Sequence, residues 1–141
     1  MPELSISKQD VIAGKVARIP VMISEMEGVS SCTIDVHFPP ALGRVIGVES
    51  GLVSYQGEEV DVESNGGIET YSLDSWTKVV NSDLPWGARV VLYNETANGK
   101  GDGAICVILA NISESMAGRT STVYVSHALA VGQRHNACQG A

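Results

Sequence analysis

Apolar and polar residues alternate with a period of two along much of this chain, and Gly, Pro, Asn and Ser punctuate the runs. The run from Ser30 to Phe38 is the clearest: Cys32, Ile34, Val36 and Phe38 share one side, and Ser31, Thr33, Asp35 and His37 share the other. The pattern predicts strands over residues 4–7, 16–24, 31–38, 44–49, 52–56, 59–63, 67–73, 88–94, 104–112 and 121–131. Short strands at this spacing make an all-β, two-sheet sandwich.

Turn chemistry agrees. Pro39-Pro40 ends a strand because neither residue donates to a ladder, and Asn65-Gly66-Gly67 reads as a hairpin. Residues 98–103 form a longer Gly-rich connection, and Pro20 marks its strand as an edge segment. One helical spacing stands out, Trp76, Val79 and Val80 within Asp74 to Asn81, and predicts a short helix there.

A chain of 141 residues, 44% hydrophobic and 18% charged, has the composition of one globular domain. Its net charge of -7, with a dense acidic run at Glu58, Glu59, Asp61 and Glu63, opposes nucleic acid and anionic membrane surfaces. No apolar stretch is long enough to span a bilayer, and residues 1–20 lack the basic and apolar regions of a signal peptide. The expectation is a cytosolic protein or an excised mature domain.

Candidate chemistry is sparse. Cys32, Cys106 and Cys138 form no C-x-x-C motif, and Cys32 and Cys106 fall in apolar runs where cysteine packs as a small hydrophobe. Cys32 and His37 are five positions apart on one strand, hence on opposite sides, and cannot pair. His127 and His135 read as surface or rim residues. The Gly99-Lys100-Gly101-Asp102-Gly103 stretch precedes a strand rather than a helix, which removes the anion site of a phosphate loop. Glu59, Asp61 and Glu63 point one way and Glu58 the other, as on a solvated strand edge. No metal site, no cofactor on this chain and no enzyme is expected.

Residues 104–112 break the inside/outside rule. Ala104, Cys106, Ile108, Ala110 and Ile112 make an inward side, yet Val107 and Leu109 opposite them are also apolar. Residues 88–94 behave alike, with Val91 and Tyr93 on one side and Val90 and Leu92 on the other. An apolar outward side needs a cover, either the chain's own loops or a partner, and so points to protein binding.

Three segments carry a family resemblance. Gly14-Lys-Val-Ala-Arg-Ile19-Pro20-Val21 is similar to the opening Gly-x-x-Val-x-Val/Ile-Pro-Val of cohesin modules, with Val16 one place early. Ser31-Cys-Thr-Ile-Asp-Val-His37-Phe38-Pro39-Pro40-Ala-Leu42, continuing through Val45, Gly47 and Val48 to Gly51, resembles their alternating strand, turn and following strand. In it Phe38-Pro39 replaces the usual Tyr-Asp, and Gly43 stands at a core leucine position. Gly101-Asp-Gly103-Ala-Ile-Cys-Val-Ile108-Leu-Ala110-Asn-Ile112, with Gly118 and Thr120 after it, resembles their Asp-Gly-x-x-x-x-Ile-x-Phe-x-Val strand and its exit.

The resemblance implies an antiparallel jelly-roll sandwich of about nine strands over residues 1–132, with 133–141 as a polar tail or linker. It implies a non-catalytic module of a secreted or cell-surface protein that binds a dockerin-like partner, with calcium on the partner's side. The docking face it implies joins the strands at 31–38, 88–95 and 104–112. Ser31 and Thr33 occupy positions where members carry Asn and Asp contacts, and Leu92 and Glu95 match an apolar and an acidic contact. Asp35, Val90, Asn94, Val107 and Leu109 complete that expected patch. The alternative on the same architecture is a carbohydrate-binding module, which needs Tyr71, Trp76 and Trp86 to form an exposed row.

Overall fold

The computed structural model describes residues 3–56, 68–94 and 101–131. Its strands are β1 (Glu3–Ser5), β2 (Val16–Ser24), β3 (Val29–His37), β4 (Gly43–Gln56), β5 (Ile68–Ser72), β6 (Thr77–Leu84), β7 (Gly87–Tyr93), β8 (Asp102–Ile112) and β9 (Tyr124–Val131). A 3-10 turn at Glu114–Met116 precedes β9, and Ser113 caps it by accepting from the Ser115 amide. Every strand pairing is antiparallel, in a five-stranded sheet of order β1-β2-β8-β4-β5 and a four-stranded sheet of order β6-β7-β3-β9. The expected antiparallel sandwich is therefore the fold.

The core follows the predicted parity. Cys32, Ile34, Val36 and Phe38 from one sheet pack with Ile19, Val21, Val45, Ile108 and Ala110 from the other, all buried. Removing such side chains from water is the main force holding the sheets together, at roughly 25 cal/mol per Å² of apolar surface. Between β2 and β3 the chain turns through Glu25 at φ 57, and the Glu25 amide donates to the Asp102 carboxylate at 2.6 Å.

Four expectations change. Residues 44–49 and 52–56 are one continuous strand, β4, rather than two. The helix expected over 74–81 is a turn followed by β6: the Trp76 amide donates to the Leu73 carbonyl, the indole enters the core, and exposed and half-buried residues then alternate. Trp76, Val79 and Val80 match a helical spacing, yet Val79 and Val80 point to opposite sides of a strand.

The strand holding Pro20 is not an edge, since β2 lies between β1 and β8. β1 reaches only Met22 to Ser24, however, so beside Pro20 the strand is paired only on its β8 side.

Ala104 is half-buried rather than core, and Ile105 is fully buried in its place. The register explains the change: Val21 pairs with Cys106 while Met22 pairs with Ala104, so Ile105 is the extra residue of a bulge. The strand expected at 59–63, the hairpin at Asn65-Gly66-Gly67, the acidic run, Cys138, His135 and the tail at 133–141 lie outside the described residues.

Candidate protein-docking face

The outer side of β6-β7-β3-β9 is built by alternation. On β3, with its even positions in the core, Ser31, Thr33, Asp35 and His37 face out. On β7, Ala88, Val90 and Leu92 are buried, so Arg89, Val91 and Tyr93 face out. Register then aligns the outward residues in rows across the sheet. Thr77, Tyr93 and Ser31 form one row, Val79, Val91 and Thr33 the next, and Asn81, Arg89 and Asp35 the third. Ser126 continues the third row on β9, and His37 pairs with Tyr124 beyond it.

The chemistry changes along the face. At the Tyr93 end it is apolar and hydroxylic: Val79 is 52% exposed and Tyr93 41%, beside Ser31 and Thr33. At the other end, Arg89 donates from Nε to Asp35 Oδ1 at 2.6 Å and from Nη2 to Oδ2 at 3.0 Å. Those hydrogen bonds hold the Asp35 carboxyl below its ordinary value, with the nearby Arg89 and His37 charges adding and its partial burial opposing. The guanidinium lies 5.9 Å from the Trp86 ring centroid. Trp86 is 5.0 Å from the His37 ring, and His37 stacks on Tyr124 at 4.3 Å with the planes 7° apart. The His37 ring, through Nε2, is 3.2 Å from Ser126 Oγ.

This arrangement redraws the expected patch. Ser31, Thr33 and Asp35 lie on the face, and Asn94 stands at its margin, where its amide donates to the Ser30 carbonyl. Val90 and Leu92 do not: both are buried between the sheets, because β7 turns its even positions inward. Val107 and Leu109 belong to the other sheet, where β8 runs between β2 and β4. The docking face implied by resemblance therefore loses its third strand.

Glu95 lies outside the described residues. Val107 is buried yet stands apart from the core cluster. Arg18 on β2 forms an ion pair with Glu49 on β4, bridging the outer side of β8 where Val107 and Leu109 lie. The chain's own charged side chains thus supply the cover that an outward apolar pair needs.

Sequence reasoning missed Val79, because its strand read as a helix, and missed Arg89, Trp86 and Tyr124, because cross-strand register is not local. Trp76 is core, so the row of Tyr71, Trp76 and Trp86 that a sugar platform needs is not formed on the surface. Among the described residues no group of three His, Cys, Asp or Glu is placed to hold a metal, and no helix is long and apolar enough to cross a membrane. Cys32 and Cys106 are buried free thiols.

No family model and no curated protein matches the sequence. Solved structures do match. A type I cohesin–dockerin complex from Clostridium thermocellum, Coh-OlpA with Doc918, aligns with a TM-score of 0.62 at 18% identity, over 99% of this chain and 92% of the matched one. A non-cellulosomal cohesin from Archaeoglobus fulgidus aligns with a TM-score of 0.62 at 13% identity, over 94% of this chain and 79% of that one. The sixth cohesin of scaffoldin B from Acetivibrio cellulolyticus, solved with a Cel5 dockerin, gives 0.61 at 15% identity over 94% and 87%. The order of strands, the two-sheet architecture and these alignments together give this chain the fold of cohesin domains.

Proposed function

We propose that this chain is a non-catalytic docking module that binds a helical, dockerin-like partner on the outer side of β6-β7-β3-β9. Calcium belongs to the partner's loops, and the site of action is an extracellular or cell-surface assembly. The observation that carries the reading is the Tyr93 end of that face, where Val79, Val91 and Tyr93 lie in register with the hydroxyls of Ser31 and Thr33. An apolar patch beside polar and charged side chains is what a compact protein interface needs. The fold adds weight, since chains of the same fold were solved together with dockerins.

The test is affinity capture from the source proteome on the immobilised chain, with and without a chelator, followed by calorimetry on the recovered protein. The reading predicts a protein with paired calcium loops, lost on chelation, whose binding Val79→Lys weakens. Capture of polysaccharide alone, or of a protein whose affinity Val79→Lys leaves unchanged, sinks it.

A further inference from the structure

We infer that at the aromatic end of this face the group that reads the partner is Arg89 rather than Asp35, and that the partner meets it with an Asp or Glu carboxylate on a helix. The inference rests on the docking reading above and assigns the polarity of one of its contacts. The resemblance puts Asp35 in the expected patch, where a carboxylate would accept from a partner's donor. The geometry gives it another task. Both of its carboxylate oxygens already accept from Arg89, and its side chain is only 23% exposed. A carboxylate so occupied has little left to offer an incoming donor.

Arg89 is in the opposite condition. A guanidinium carries five N–H donors, and the two hydrogen bonds to Asp35 leave the Nη1 pair and one Nη2 hydrogen unspent. Its side chain is 51% exposed. On its β6 side the residue in register is Asn81, which is neutral and brings no second carboxylate. The bidentate bond and the Trp86 ring fix the guanidinium plane before any partner arrives, and Trp86 is itself backed by His37 and Tyr124. A cation held in place loses little side-chain entropy on binding, which is the condition under which an arginine becomes a hot spot. Planar forked donors match a carboxylate, so charge complementarity selects an acidic residue on the partner. Asp35 is then a positioning residue.

The experiment uses a displayed library of calcium-loaded dockerin-like modules, with the exposed helix positions randomised, selected separately on the wild-type chain and on Arg89→Glu. Thermal melting verifies that the variant is folded, and Arg89→Met serves in its place if it is not. The wild-type pool should enrich Asp or Glu at one helix position, and the Arg89→Glu pool should replace it there with Lys or Arg. Individual wild-type binders should lose at least tenfold in affinity on Arg89→Met, and lose part of it on Asp35→Asn, which frees the guanidinium.

Wild-type binders that carry Lys or Arg opposite this end, and that Arg89→Met leaves within twofold, would overturn the assignment while leaving docking intact. A library that yields no binder to the wild-type chain would overturn the docking reading itself, and the assignment with it.

Discussion

Val79 of β6 stands directly opposite Val91 of β7, and 52% of Val79 is open to solvent. A valine so exposed on an edge strand contributes little to the fold, and a lysine on an edge is well tolerated. Val79→Lys should therefore change unfolding free energy by less than about 0.5 kcal/mol, as surface substitutions do. Docking of a dockerin-like partner should weaken by about 2 kcal/mol or more, as for a central contact. Urea titration and calorimetry measure the two effects; unchanged affinity would remove the apolar row from the centre of the interface.

Local pattern made the sandwich legible. The parity of Cys32, Ile34, Val36 and Phe38 follows from side-chain alternation alone, and it places that side in the core. What pattern could not supply was long-range. Nothing within residues 102–112 says that β8 pairs with β2 and β4 rather than with β3, so its apolar outer side read as part of the docking face. For β7 the parity was legible and its direction was not: Val90 and Leu92 go inward because β3 and β6 pair with it in a register that turns Arg89, Val91 and Tyr93 out. The Arg89, Trp86, His37 and Tyr124 stack joins residues up to 87 positions apart and has no local signature.

Gly51 of β4 stands opposite the bulged Ile105. A Cβ placed on Gly51 would stand 1.9 Å from the Ala104 carbonyl oxygen, against backbone that cannot swing aside. Gly51→Ala should therefore cost about 3 kcal/mol, at the upper end of overpacking effects. A denaturant midpoint close to wild type would mean that β4 and β8 separate more readily than their pairing suggests.

Burial sets the behaviour of the two core thiols. It pushes Cys106 up to about 12, and it raises Cys32 well above the ordinary thiol range, with the neighbouring Cys106 adding to the shift. Neither forms thiolate at neutral pH, so peptide mapping after native alkylation should find both unlabelled. Cys32→Ala should cost about 1–2 kcal/mol through lost packing and leave docking unchanged. Loss of docking in a fully folded variant would assign Cys32 a chemical role.

Acid should expose the Asp35–Arg89 pair. The Asp35 carboxyl is held below its ordinary value when folded, so its contribution is fully present above the unfolded carboxylate value of about 3.9 and is lost as pH falls through the lower folded value. The gap in melting temperature between wild type and Asp35→Asn should be at its full size at about pH 5 and shrink as pH falls below the unfolded value and through the lower folded one, where wild-type Asp35 becomes neutral too. A gap independent of pH would mean that the pair contributes by packing rather than by charge.

Leu109 separates the two sheet faces most directly. It stands beside Arg18 in register, reaches to within 3.8 Å of where a Gly47 Cβ would lie, and belongs to the sheet opposite the docking face. Leu109→Arg places a second cation next to Arg18 and competes for Glu49, so the fold should lose about 1 kcal/mol, as for a half-buried position with a like-charge neighbour. Docking should be unchanged, because the new guanidinium lies on the far side of the sandwich and no partner desolvates it. Resemblance alone makes the opposite prediction, a large loss of affinity in a stable variant. Calorimetry of the folded variant against a partner that Val79→Lys weakens decides between them: equal affinity keeps the docking face on β6-β7-β3-β9, and a loss of tenfold or more moves it to β2-β8-β4.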